Sequence, residues 1–286
     1  MLPNKRFTAR SKRFWANIRI ISQEVGYTQR GNKQIKVPSI NEIINSLKNI
    51  GLKWDHIIDR NDKLTELGKD VIGYFQYRAK ILNEFVEPRL MDVDKARRLF
   101  EELHGRYEPK CPLPLNKQKG EKKSPAFLTC LINMIIEANS KGYPCAFEPY
   151  ELTTVTENGY PVRTLARRID GAFPGPVNPI AVWEVKEYYY TTTFGSRVAD
   201  GIYETLLDGM ELEDLKEKEN IDVKHYLMVD SHYTWWECGR SYLCRIVDML
   251  HMGYIDEALF GYEVIERLPL IVNEWVESYH KRRIQK

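Results

Sequence analysis

The sequence predicts an α/β protein, with a mixed central sheet flanked by helices and a mainly helical region ahead of it. Three observations carry this expectation. Helical patterns and helix caps fill the first hundred residues, a Pro- and Lys-rich stretch then breaks all periodicity, and beyond it short alternating segments are interleaved with helical ones.

In SKRFWANIRIISQEVG, Phe14, Ile18 and Ile21 share one helical face. Ser39 to Glu42 reads as a capping box opening INEIINSLKNIG, which Gly51 closes, and Thr65 caps a long helix through LTELGKDVIGYFQYRAKILNEF. Helix, short connection, helix, polar segment and LTELG is the order of a helix-turn-helix or winged-helix arrangement, and also of any small helical bundle. Between Tyr107 and Ser124 lie three Pro and five Lys with no apolar period, the composition of a linker. The expected domains are therefore 1–107, helical and DNA-binding; 108–123, linker; and 124–286, built on the sheet.

Ser124-Pro125 reads as an N-cap with Pro at the first helical position, opening a helix that runs to Gly142. Three strands follow: CAFEPYELTTV, VRTLARRIDGAF after the Asn158-Gly159 turn, and PIAVWEVKEYY after PGPVNP. Then come a helix in GSRVADGIYETLLDGMELEDLKE, a strand in VKHYLMVD, and helices in RSYLCRIVDMLHMG and VNEWVESYHKRR.

Composition narrows the function classes. Of 286 residues, 43% are apolar and 29% charged, as in a folded protein rather than a disordered one. No apolar run approaches the ~18 residues that cross a bilayer, and MLPNKRFTARSKRFW has no signal-peptide core, so a cytoplasmic protein without a membrane partner is expected. Five Cys without a C-x-x-C pair and six scattered His argue against zinc and against a disulfide framework, which leaves oxygen as the ligand of any metal. Charge is uneven: residues 1–123 hold 26 Lys/Arg against 15 Asp/Glu, whereas 124–286 hold 16 against 25. The first fifty residues carry ten basic side chains and two acidic ones, the pattern of a module that grips a polyanion. Arg10, Lys12, Arg13, Arg30, Lys33 and Lys36 are the expected DNA contacts there.

The chemistry concentrates in RRIDGAFPGPVNPIAVWEVKEYY. Along the second arm, Val182, Glu184 and Lys186 share one face of a strand, with Ala181, Trp183 and Val185 on the other. If the turn is centred near Val177, Asp170 lies opposite Glu184, with Cβ atoms ~5 Å apart. The repulsion of two such carboxylates runs from ~1 kcal/mol in water to ~4 kcal/mol in a partly buried site. Lys186, a nearby Arg, a shared proton or a divalent cation would offset it. Two carboxylates and a backbone carbonyl form a hard oxygen site that suits Mg²⁺.

These residues resemble the PD-(D/E)XK nuclease superfamily, and most of all its type II restriction endonucleases. Asp170, a gap of thirteen residues and Glu184-Val185-Lys186 stand on a hairpin with helices before and after it. The likeness covers about residues 124–250, and Ile169 stands where the family name has Pro. It implies a restriction-endonuclease-like fold in which Asp170, Glu184 and the Val185 carbonyl ligate Mg²⁺ and Lys186 positions or deprotonates the attacking water. It also implies an added carboxylate from the preceding helix, here Glu137. The implied substrate is double-stranded DNA, cut in a sequence-specific way by a homodimer, with Arg163, Arg167, Arg168 and Arg197 meeting phosphates near the cut; Arg168 could equally balance the carboxylates on its own face. A repair or RNA-directed nuclease would use the same site. The alternative from another class is a non-catalytic DNA-binding regulator whose C-terminal domain binds a ligand or partner.

Overall fold

The computed structural model describes residues 1–28, 31, 33–61, 63–117, 123–191 and 194–284. Helices α1 (Lys5–Thr8), α2 (Lys12–Val25), α3 (Ile40–Asn49) and α4 (Glu66–Ile81) come first. Their starts follow from the sequence. The Ser11 hydroxyl accepts from the Phe14 amide, Ser39 and Glu42 form the reciprocal capping box, and Thr65 accepts from the Gly68 amide. Phe14, Ile18 and Ile21 of α2 meet Ile43 and Leu47 of α3 and Val71, Tyr74 and Phe75 of α4 in one small core. A π turn, Leu82–Val86, and a 3-10 turn, Glu87–Arg89, lead out of α4.

Helix α5 (Val93–Tyr107) was grouped with the N-terminal region by sequence, yet its Ala96 and Leu103 are buried in the core that covers the sheet. The described part of the 108–123 segment is likewise packed rather than free. Cys111 is buried, the Pro112 carbonyl accepts from Asn133 Nδ2, and Leu115 bridges to Pro125. That bridge changes the start of helix α6 (Phe127–Asn139) from the expected one. Ser124 and Pro125 pair with residues 115 and 116, so neither caps the helix; Glu187 accepts from the Thr129 amide and hydroxyl instead.

Strands β1 (Ala146–Phe147), β2 (Thr154–Glu157) and β3 (Tyr160–Thr164) follow, then β4 (Gly171–Phe173) and β5 (Ala181–Lys186). Asn158 and Gly159 both take positive φ, which turns β2 into β3 as the Asn-Gly pair predicts. The two form a separate hairpin beside the main sheet. Beyond β5 come α7 (Ser196–Glu219), β6 (Lys224–Val229), a π turn at Tyr233–Cys238, α8 (Arg240–Met252), β7 (Glu257–Phe260) and α9 (Glu263–Ile284).

The main sheet is mixed and five-stranded, in the order β1-β4-β5-β6-β7, antiparallel on the β1 side and parallel from β5 to β7. Helices α5, α6 and α9 cover one face through Phe173, Trp183, Tyr226 and Met228; α7 and α8 cover the other through Leu227, Val229 and Phe260. The N-terminal helices dock on α8 through a buried ion pair. Arg78 Nη1 lies 3.0 Å from Asp248 Oδ2, Arg78 Nη2 donates to Ser22, and the Tyr74 hydroxyl donates to Asp248 at 2.6 Å. Among the described residues, no helix is long and apolar enough to cross a membrane.

Candidate active site

The β4–β5 register pairs Gly171 with Trp183 and Phe173 with Ala181. The next step of that register sets Asp170 opposite Glu184, the arrangement expected from a turn centred at Val177. Asp170 ends a loop rather than lying in a strand, and it is tied to β5 by two bonds. Its Oδ2 accepts from the Val185 amide at 2.8 Å, and its amide donates to Glu184 Oε1 at 3.3 Å. Gly171 is required beside it: a Cβ there would stand 2.0 Å from the Trp183 ring.

The two carboxylates have opposite electrostatics. Burial, and then the charge of Glu184, push the Asp170 carboxyl up to about 6. Burial also acts on Glu184, but Lys186 and Arg167 outweigh it and hold its carboxyl below the ordinary range. Lys186 Nζ is 2.6 Å from Glu184 Oε2, and Arg167 Nη1 is 2.9 Å from Glu184 Oε1. Burial lowers the Lys186 ammonium, yet the charges of Glu184 and Asp170 leave it raised. The repulsion foreseen on the hairpin therefore falls on Asp170 alone, because two cations already neutralise its partner.

Helix α7 supplies groups that the sequence reading did not single out. Asp200, Glu204 and Asp208 recur at four-residue spacing; Asp200 and Glu204 line the cleft, and Glu204 reaches both Lys186 and Arg167 at 3.5 Å. Asp208 lies 2.6 Å from Arg167 Nη1, and burial, then Glu184, push its carboxyl up to about 7. That spacing was readable as an acidic helical face; its register on the sheet was not. The cleft encloses about 430 Å³ between residues 114–117, the β5 end and the start of α7. Glu148, held at φ 46° and paired with Lys117 at 3.0 Å, lies on its rim.

Several expected residues take other positions. Glu137 is not in the site: its carboxylate accepts from the Lys110 amide and lines a different hollow with Tyr107 and Glu108, because the cleft-facing side of α6 carries Thr129 and Asn133. Arg163 pairs with Asp214, and Arg167 with the site acids, so these two spend their charge inside the protein. Arg168 is exposed, 5.8 Å from the Tyr150 ring, and Arg197 lines the cleft. In the N-terminal region, Arg10 pairs with Asp70, Lys33 with Glu237 and Lys36 with Glu42. Lys12 and Arg13 are exposed and form no ion pair among the described residues. Arg30 lies outside the described residues.

Two carboxylates and a buried lysine thus meet on one strand pair of a mixed α/β scaffold. Residues 91–275 match the family described as a domain of unknown function (DUF7687), and the chain belongs to that family. Residues 1–85 match a second one, also described as a domain of unknown function (DUF7690). The division between the two, at residues 85–91, agrees with the packing of α5 on the sheet core. No curated protein and no solved structure matches the chain.

Proposed function

We propose that the chain is a Mg²⁺-dependent endonuclease that hydrolyses phosphodiester bonds of double-stranded DNA, with a restriction-endonuclease-like sheet domain and a DNA-gripping N-terminal region. The observation that carries this reading is the pairing of Asp170 with Glu184 across the strands, with Asp170 and Lys186 lining the cleft and Glu184 buried directly behind them. Asp170, Glu184 and the Val185 carbonyl would hold the ion. Among the described residues no three His, Cys, Asp or Glu side chains converge on one point, but Mg²⁺ is commonly held by one or two carboxylates and keeps several waters. Arg167 holds Glu184 Oε1 at 2.9 Å, so the donor set would be complete only with that contact released. The bound ion would lower the pKa of its water and screen the phosphate. Lys186 would hold that water and Arg197 would meet the scissile strand; both line the cleft.

One observation favours a non-catalytic DNA-binding regulator: both Glu184 oxygens are already engaged by cations. Incubating the purified protein with a mapped viral genome, with Mg²⁺ and then with EDTA, separates the two. Mg²⁺-dependent discrete bands that vanish in Lys186→Ala support the endonuclease. An unchanged genome supports the regulator, and selective loss of RNA or single strands in parallel reactions moves the substrate class.

A further inference from the structure

A second cavity, of about 490 Å³, opens in the seam between the N-terminal helices and the sheet unit. Its walls come from α2 (Arg19, Ile20), from Tyr27, from α7 (Tyr203, Leu206) and from α8 (Arg245). The volume is that of a small-molecule site. Its charge is unusual for a seam. Asp248, at the base, is engaged on both oxygens by Arg78 and accepts a further bond from Tyr74. Arg245 and Arg19 face no carboxylate within ion-pair distance among the described residues.

Arg245 is also preorganised. Its guanidinium lies 4.4 Å from the centroid of the Tyr242 ring and 5.0 Å from that of Tyr27, whose hydroxyl it also hydrogen-bonds, so two aromatic side chains hold it. The Tyr27 hydroxyl takes one donor of the fork, and its other N–H groups remain to meet an anion. Tyr203, half-exposed at the rim, offers a further flat surface, and Ile20 and Leu206 make an apolar wall.

We propose that this seam cavity binds a nucleoside monophosphate: the phosphate on Arg245 and Arg19, the base against Tyr203 and the apolar wall. The site is separate from the cleft and does not depend on the nuclease reading. The opposite side of α7 carries Asp200 and Glu204 into the cleft, so one helix forms part of both.

The test is isothermal titration of the intact protein, in EDTA, with the four common ribonucleoside monophosphates and their deoxy forms, with the matching nucleosides and inorganic phosphate as separate arms. At least one monophosphate should bind saturably, and its nucleoside should bind about tenfold more weakly or worse, the loss of one charge-assisted contact. Arg245→Ala should weaken the monophosphate at least about tenfold, with circular dichroism confirming the fold. Tyr203→Ala, at the exposed rim, should weaken the monophosphate but not inorganic phosphate. Asp170→Asn should leave affinity unchanged, which places the ligand outside the cleft. Absence of saturable binding, parent-like affinity in both seam variants, or loss of binding only in Asp170→Asn would each overturn the proposal. So would duplex DNA that binds and loses affinity in Arg245→Ala while the free monophosphates do not bind, because the anion would then be a polymer.

Discussion

Replacing Asp170 by Asn and Glu184 by Gln should move stability in opposite directions, although both remove one carboxylate from the same pair. The Asp170 carboxyl is raised from the ordinary 3.8 to about 6, so the fold prefers it protonated. Its stabilising share is complete below pH ~4 and is lost as pH rises through ~6. Two pKa units correspond to at most about 3 kcal/mol, so Asp170→Asn should gain about 1–3 kcal/mol at pH 8 and nothing at pH 3.5. The Asn oxygen can still accept from the Val185 amide. Glu184 is the reverse case: its carboxyl is depressed, so its contribution is present above pH ~4.5 and is lost as pH falls. Glu184→Gln leaves Arg167 and buried Lys186 facing a neutral amide with one oxygen for two cations, a cost of about 3 kcal/mol. Urea unfolding followed by tryptophan fluorescence, in EDTA at pH 3.5 and 8, measures both. A destabilised Asp170→Asn at pH 8, or a Glu184→Gln that is neutral there, would refute the division of charge between the two acids.

Asp208→Asn should flatten the pH dependence further: with the parent carboxyl raised to about 7, the parent loses about 2–4 kcal/mol between pH 4 and 7 that the variant keeps, as unfolding curves across that range would show. Arg78→Ala should cost about 3–5 kcal/mol in urea unfolding, because it strands Asp248 in the interior, and Arg78→Met combined with Asp248→Leu should recover at least half of it. Gly171→Ala should cost about 1–3 kcal/mol in thermal unfolding, since its Cβ would meet the Trp183 ring.

How much of this was legible in the sequence depended on how local its cause is. Ser39 with Glu42, Thr65, and Asn158 with Gly159 act within a few residues of themselves, and each appears as read. The Asp170–Glu184 pairing was legible because a tight connection fixes register by counting. Tertiary choices were not. Ser124 and Pro125 have the chemistry of a helix start, but residues 115–116 compete for their backbone. Glu137 sits beside an apolar stripe, yet which flank of α6 meets the cleft is decided by how the helix lies on the sheet. Strand β7 is four residues long and opens on Glu257, which the Arg267 guanidinium neutralises from α9, so it lacks any local strand signature. The acids of α7 have a readable spacing, but their partners Arg163 and Arg167 lie about forty to fifty positions upstream.

The glycine beside Asp170 has an optical consequence. Gly171 leaves the Trp183 indole the space that a Cβ would fill beside the site acid, and that indole stacks on Trp275 at 5.4 Å and 10°. Two indoles that close and that nearly coplanar couple their near-ultraviolet transitions, and one of them directly precedes Glu184 in the chain. A cation that neutralises the two carboxylates changes the local field on that chromophore pair. On the proposed reading, occupancy of the cleft by Mg²⁺ would thus be followed by circular dichroism and emission of the unlabelled protein, independently of any cleavage.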